Sequence, residues 1–285
     1  MKNAPAAVRW STYVLVAAVF AIACAFLSDW QFTRNGDRSA QLALVEQNYD
    51  AAPVAFAELI PDGETLDAGD EWHPVVLTGE YLADEQLLVR NRPHGGTAAY
   101  EVLVPFRLDD GRVLVVDRGW VPPGADQPEP DAVPAPPAGE VTVIVRLRPG
   151  EPLPASGRTA DAGQVPTINL PFVAERVAPD IGDALVQSAY GIIVSEDPAV
   201  EAMPGSLPSP SEDPGPYLSY AIQWILFAVM GFIFIGYMIR TEIIARREDA
   251  EDDEHSPPRP PRPAASARRR DRDADAEDAL LDAVR

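Results

Sequence analysis

Two long apolar runs bracket a region in which hydrophobic and polar residues alternate, and that contrast organises the chain. Residues 10–27 carry no charge and reach about the length of one membrane helix. Residues 217–239 form a second such run, with aromatic residues near both ends. After the first run the period stays helical, since Leu42, Val45 and Tyr49 fall at helical spacing. This predicts that the first helix continues over 29–49, with Asn35-Gly36 as the point where it would break. Residues 53–60 predict one more short helix. From His73 onward the period becomes two, which predicts strands over 74–77, 86–90, 100–108, 112–121, 140–148 and 189–195. In 140–148, Val141, Val143, Val145 and Leu147 alternate with a wetter set. Turn chemistry marks 91–97 and 109–111, and two short helices are predicted over 170–177 and 181–187. The fold class predicted is a membrane-anchored α+β protein. Two transmembrane helices flank a mainly antiparallel β domain built chiefly of neighbouring strands.

Charge assigns sides to this layout. Lys2 and Arg9 precede the first run, and Arg240, Arg246 and Arg247 follow the second. Basic residues stay on the cytoplasmic side, so both termini are expected there and the intervening region outside. The expected organisation is a cytoplasmic N-terminus (1–9), a first span (10–27), an extracytoplasmic β-rich domain with Pro-rich loops (28–216), a second span (217–239) and a charged cytoplasmic tail (240–285). A cleaved signal peptide is the competing reading of the first run, with Ala23-Cys24-Ala25 as its cleavage site. Past Glu248 the tail lacks the apolar content to fold, although 278–285 has the pattern of a helical turn or two.

The chain carries 44 acidic and 23 basic residues, a net charge of -21, which argues against nucleic acid as a partner. Residues 28–216 alone hold 31 acidic and 11 basic residues. The single cysteine, Cys24, excludes a disulfide framework or a cysteine zinc site within one chain. Three scattered histidines do not make a metal site, and His73 and His94 read as loop residues. No nucleophile motif, HExxH or phosphate-binding glycine loop is present. The expectation is a protein that is not an enzyme, with no catalytic residues and no metal.

The candidate chemistry centres on Arg112 to Pro122, RVLVVDRGWVP, an aliphatic strand ending in Arg118, Gly119 and Trp120 and stopped by Pro122-Pro123. Further motifs precede and follow it in order. They are Trp30-Gln31-x-x-Arg34 after the first run, Gly79-Glu80-Tyr81, Asn91-Arg92, and Leu218-Ser219-Tyr220-Ala221 at the second run. The ordered set resembles the surfeit locus protein 1 family, membrane-bound assembly factors of haem-copper cytochrome c oxidase. The resemblance implies a factor for biogenesis of an aa3-type oxidase in a bacterial cell membrane. Such a factor assists haem a delivery or stabilises the catalytic subunit, with oxidase subunit I, other assembly factors and membrane lipid as partners. It implies haem a as a transient cofactor.

A haem handler needs an axial ligand, apolar walls and cations for two carboxylates. Arg34, Arg92 and Arg118 are the candidates for the carboxylates, or they tie Asp29, Asp117 or buried carbonyls. Trp30, Trp120 and Trp224 are candidate walls, or packing residues. Tyr217, Tyr220 and Trp224 share a helical face at i, i+3 and i+7. Where family members carry a histidine implicated in haem handling, just before LSYA, this chain has Tyr217. Two other readings remain: an acidic envelope scaffold that never meets haem, and a stable accessory subunit of the oxidase.

Overall fold

The computed structural model describes residues 5–155 and 161–255. Its described residues divide into two units, one of residues 29–221 and one of 5–28 with 222–255. The terminal segment 278–285 and most of the charged tail lie outside the described residues.

The first helix, α1 (Ala6–Asn48), runs unbroken through Asn35-Gly36 for 43 residues. At 1.5 Å per residue it is about 65 Å long, roughly twice the hydrocarbon thickness of a bilayer. One glycine costs a helix only about 1 kcal/mol, too little to break one whose neighbours all favour it. The 53–60 region yields a short strand, β1 (Val54–Ala55), and only then a single turn, α2 (Phe56–Leu59). Six long or short strands follow: β2 (Pro74–Tyr81), β3 (Leu87–His94), β4 (Thr97–Leu108), β5 (Val113–Val121), β6 (Glu140–Arg148) and β7 (Gln164–Val165). The short helices α3 (Leu170–Ala174) and α4 (Pro179–Asp183) precede β8 (Tyr190–Asp197). Both helices are shorter than the pattern suggested, and α4 opens at Pro179, where a ring-fixed φ suits a first helical turn. The turn between β3 and β4 contracts to Gly95-Gly96, because the hairpin pairs as far as His94 with Thr97. Asn91 instead marks a bulge, with φ at 61°.

One sheet runs β1-β2-β6-β8-β5-β4-β3-β7, and a further β2–β4 pairing closes its middle into a barrel of β2, β6, β8, β5 and β4. Hairpin neighbours account for β3–β4 and β4–β5 alone. Closure needs distant partners: β6 lies against β2 and β8, and β8 runs parallel to β5. The short strands β1 and β7 also pair parallel, with β2 and β3. Local alternation cannot encode these choices, which burial on both faces of β5 enforces.

The barrel lumen is filled by one face of each strand, including Val75 and Leu77 of β2, Phe106 of β4, Leu114 and Val116 of β5, and the Val141–Val143–Val145–Leu147 row of β6. The opposite face of β3, β4 and β5 packs under Ile168, Leu170, Val173, Ile181 and Leu185. This explains why 113–116 is an unbroken aliphatic run: Val113 and Val115 face one cluster, Leu114 and Val116 the other.

The other unit contains the start of α1 and most of α5 (Tyr217–His255). Helix α5 continues seven residues past Glu248, so the start of the acidic tail is helical. Both helices are long and apolar enough to cross a membrane. Their outward side chains are large and bare, as at Leu15, Phe26, Ile233 and Phe234. Such faces fit lipid, since water would leave them unpartnered. Phe20 packs against Gly231, and Glu242 accepts a hydrogen bond from Trp10 Nε1 (3.0 Å) and pairs with Arg9 and Arg246. The helices are therefore antiparallel, with the start of α1 beside the far end of the second apolar run.

Candidate functional site

The end of β5 is where the barrel concentrates its buried polar groups. Arg118 points into the interior with 0% of its side chain exposed. Its terminal amino group lies 2.8 Å from Glu196 Oε1 on β8, and Nε donates towards Glu196 Oε2 at 3.4 Å. The other amino group donates to the Pro134 carbonyl at 3.0 Å, and the guanidinium lies over the Tyr81 ring at 5.4 Å. Tyr81 of β2 donates its hydroxyl to Glu196 Oε2 at 3.2 Å. Burial, with Glu196 beside it, pushes the Tyr81 hydroxyl pKa well above its ordinary value, so it stays a donor. Three strands are thus tied by one charge pair and one phenol. Glu196 sits in GIIVSED between the exposed Ser195 and Asp197, and it is the acid of that strand that turns inward to meet Arg118.

A second cluster lies at the same end. Arg92 of β3 lies 2.7 Å from Glu101 of β4 and 2.7 Å from Glu151. Glu151 also accepts from the Thr167 hydroxyl and from the Ile168 N–H (3.1 Å), which pins the loop after β6 to the chain before α3. His94 lies flat on the Trp120 ring (5.2 Å between centroids, 6° apart) with Nε2 3.5 Å from Glu101. His94 is therefore the last residue of a strand and part of the cluster, where a loop position was expected. Asp117 is buried beneath, accepting from the Gly119 N–H at 3.0 Å.

Burial outweighs the nearby cations here. Lost solvation, reinforced by Glu101, holds the Asp117 carboxyl well above the usual carboxylate range, with Arg92 opposing and Glu151 adding to the rise. Glu101 is raised by its own burial against Arg92. For Glu151, burial is overcome by the Thr167 and Arg92 bonds, and its pKa falls. A folded pKa above the unfolded one means that folding retains a proton, so stability declines as pH rises from the ordinary carboxylate range towards the folded value. Asp117→Asn supplies the uncharged form while keeping an acceptor for the Gly119 N–H. It is expected to raise the melting temperature at pH 8 relative to the parent and to flatten the parent's decline between pH 5 and 8. Thermal melts at the two pH values check this; equal differences at both would contradict it.

Gly119 lies between Arg118 and Trp120, and the chain after β8 returns to it. Trp120 and Gly205 exchange both backbone hydrogen bonds (2.9 and 2.8 Å). Gly119 has φ at 117°, and a Cβ there would overlap the Gly205 carbonyl. Pro122 follows, exposed, beyond the strand end.

The remaining candidates lie elsewhere. The Arg34 guanidinium sits over the exposed Trp30 ring at 5.2 Å, as their spacing of four allows, and forms no ion pair among the described residues. Gln31 between them keeps its Oε1 buried without a donor. Tyr217 opens α5, half-buried, its ring on Gly215, and Tyr220 is exposed. These five residues belong to the barrel-bearing unit, whereas Trp224, edge-on to Phe227 at 5.7 Å, belongs to the other. Among the described residues no group of three or more histidine, cysteine or carboxylate side chains is arranged to hold a metal ion.

A closed β barrel flanked by two helices long and apolar enough to cross a membrane fits the class of membrane-anchored β-domain proteins. The SURF1 family model matches residues 18–229, which spans the barrel and most of both apolar runs. A SURF1-like protein of Mycobacterium bovis is 34% identical over 253 residues, covering 87% of this chain and 89% of the relative. The cytochrome oxidase assembly protein SHY1 of Saccharomyces cerevisiae is 29% identical over 99 residues, 34% of this chain and 24% of the yeast protein. A SURF1-like protein of Monosiga brevicollis is 31% identical over 135 residues, covering 42% and 47%. The chain belongs to the SURF1 family.

Proposed function

We propose that this protein is a bacterial membrane factor that assists biogenesis of an aa3-type cytochrome c oxidase, acting on the catalytic subunit I while its haem a goes in. The observation that carries the reading is family membership together with a relative named as a cytochrome oxidase assembly protein. The role is one of holding and positioning and requires no catalytic residue. The barrel lies on the outer side of the membrane in this reading. The Glu242 clasp supports it by bringing the start of α1 beside the end of the second apolar run, where Arg9, Arg240, Arg246 and Arg247 gather as the positive-inside bias asks of a cytoplasmic side.

The groups present fit a haem in part. Arg118 and Arg92 are already engaged by Glu196, Glu101 and Glu151, which leaves Arg34 as the cation open to a carboxylate. Tyr217 offers an oxygen donor, and Trp30 and Tyr220 offer exposed ring faces. In this reading Arg34 and Tyr217 hold haem a, while Arg118, Gly119 and Trp120 shape the domain. Deletion of the gene is expected to remove most of the aa3 absorption and activity from membranes, and subunit I is expected to copurify with the protein. A full oxidase spectrum in the deletion strain would overturn the role. Haem bound by protein from cells that make haem a is expected to fall in Arg34→Ala and Tyr217→Phe; retention in both would remove the haem assignment and leave assembly standing.

A further inference from the structure

The extramembrane end of α1 carries a groove that neither the barrel nor its polar clusters explain. The groove holds about 470 Å³ and is lined by Leu42, Val45, Glu46, Tyr49, Asp50 and Glu212. One wall is α1 and the other the segment before α5. Arg38 builds that second wall: its guanidinium donates to the Ser211 carbonyl at 2.6 Å and to the Asp213 carbonyl at 2.8 and 2.9 Å. The Arg38 charge is thereby spent on backbone carbonyls of the second wall.

The lining has two chemistries. Leu42, Val45 and Tyr49 are half-buried and form an apolar floor, while Glu46, Asp50 and Glu212 are exposed along the rim. Arg146 covers one face of the Tyr49 ring at 3.6 Å, donates to the Tyr49 carbonyl at 2.8 Å and approaches Asp50 at 3.7 Å, whereas Glu46 and Glu212 have no ion-pair partner among the described residues. Two uncompensated carboxylates on facing walls repel each other and favour a cation between them. An apolar floor below charged lips matches a long side chain that buries its methylenes and keeps its charged head at the rim.

We propose that this groove receives an arginine or lysine side chain from a basic segment of a partner protein. The inference does not rest on the oxidase reading, since it follows from the groove's shape and charge alone. The surrounding region's excess of 31 acidic over 11 basic residues would draw such a partner from a distance. The groove then adds a fixed seat for one cationic side chain.

The test uses the full chain, isotopically labelled in detergent micelles, titrated with the peptide Ac-Leu-Arg-Ala-Leu-NH2 and its citrulline counterpart while amide shifts are followed by NMR. The arginine peptide is expected to move the Val45 and Tyr49 resonances, and the citrulline peptide to bind roughly tenfold more weakly or less. Glu46→Gln with Glu212→Gln is expected to weaken arginine-peptide binding by a similar factor. Asp62→Asn with Glu64→Gln, the same charge loss elsewhere on the surface, is expected to leave binding within about twofold. Arg38→Ala, which frees the second wall, is expected to weaken binding with both rim carboxylates intact. Equal loss in the two paired variants would assign the effect to net charge and overturn the seat. Equal binding of the two peptides, or self-association of the chain through these residues without peptide, would also overturn it. Both glutamates are exposed, and a melting temperature matching the parent verifies that the variants are folded.

Discussion

Glu196→Ala is expected to unfold the barrel domain or bring it close to unfolding. The substitution leaves the Arg118 guanidinium inside the barrel with no counter-charge, the situation that costs about 3–5 kcal/mol in buried ion pairs. Domain stabilities are on the order of 5–15 kcal/mol, so one change removes a large share. Tyr81→Phe removes only a hydroxyl donor to the same carboxylate and is expected to cost about 1 kcal/mol. Replacing both charges, Arg118→Met with Glu196→Leu, is expected to recover much of what Glu196→Ala loses, because no charge is then stranded. Denaturant melts of the purified protein, followed by tryptophan fluorescence, separate these cases. A Glu196→Ala protein as stable as the parent would show that the pair does not hold the three strands.

Gly119→Ala is expected to act as strongly by a different route. The position combines φ of 117° with a neighbouring carbonyl in the space a Cβ would take. An L side chain held in a sparsely populated backbone region costs about 1–3 kcal/mol. Displacing packed backbone adds about 1–3 kcal/mol more. The Trp120–Gly205 bonds are the first to yield, so amide exchange at Trp120 and Gly205 should accelerate before the barrel melts. A variant with unchanged exchange at both amides would contradict this account of the RGW motif.

Much of the extended region was legible because each strand announces its own faces. The alternation over 140–148 is the β6 row that fills the lumen, and the aliphatic run after Arg112 is the doubly buried β5. What alternation does not carry is pairing. Nothing local in YGIIVSED says that the last strand lies between β5 and β6 rather than beside its predecessor in the chain. The partners of Arg118 were hidden for the same reason: Glu196 is distant in sequence, and only closure brings it near. The Trp30–Arg34 contact was legible, since it needs only helical spacing. The Arg92 cluster was not, because Glu151 reaches it from an irregular loop and Glu101 from a neighbouring strand across the bulge at Asn91.

The place of β8 has a consequence for synthesis. It is the last made of the described strands, yet both β5 and β6 wait for it with unpaired backbone along their edges. A nascent chain that has emerged only as far as α4 holds an open sheet and a stranded arginine. Until residue 197 is out, such an intermediate is a template for sticking to other strands and a ready substrate for proteases. Chains cut short before Tyr190 should therefore be cleared from cells and should not accumulate as a smaller working domain.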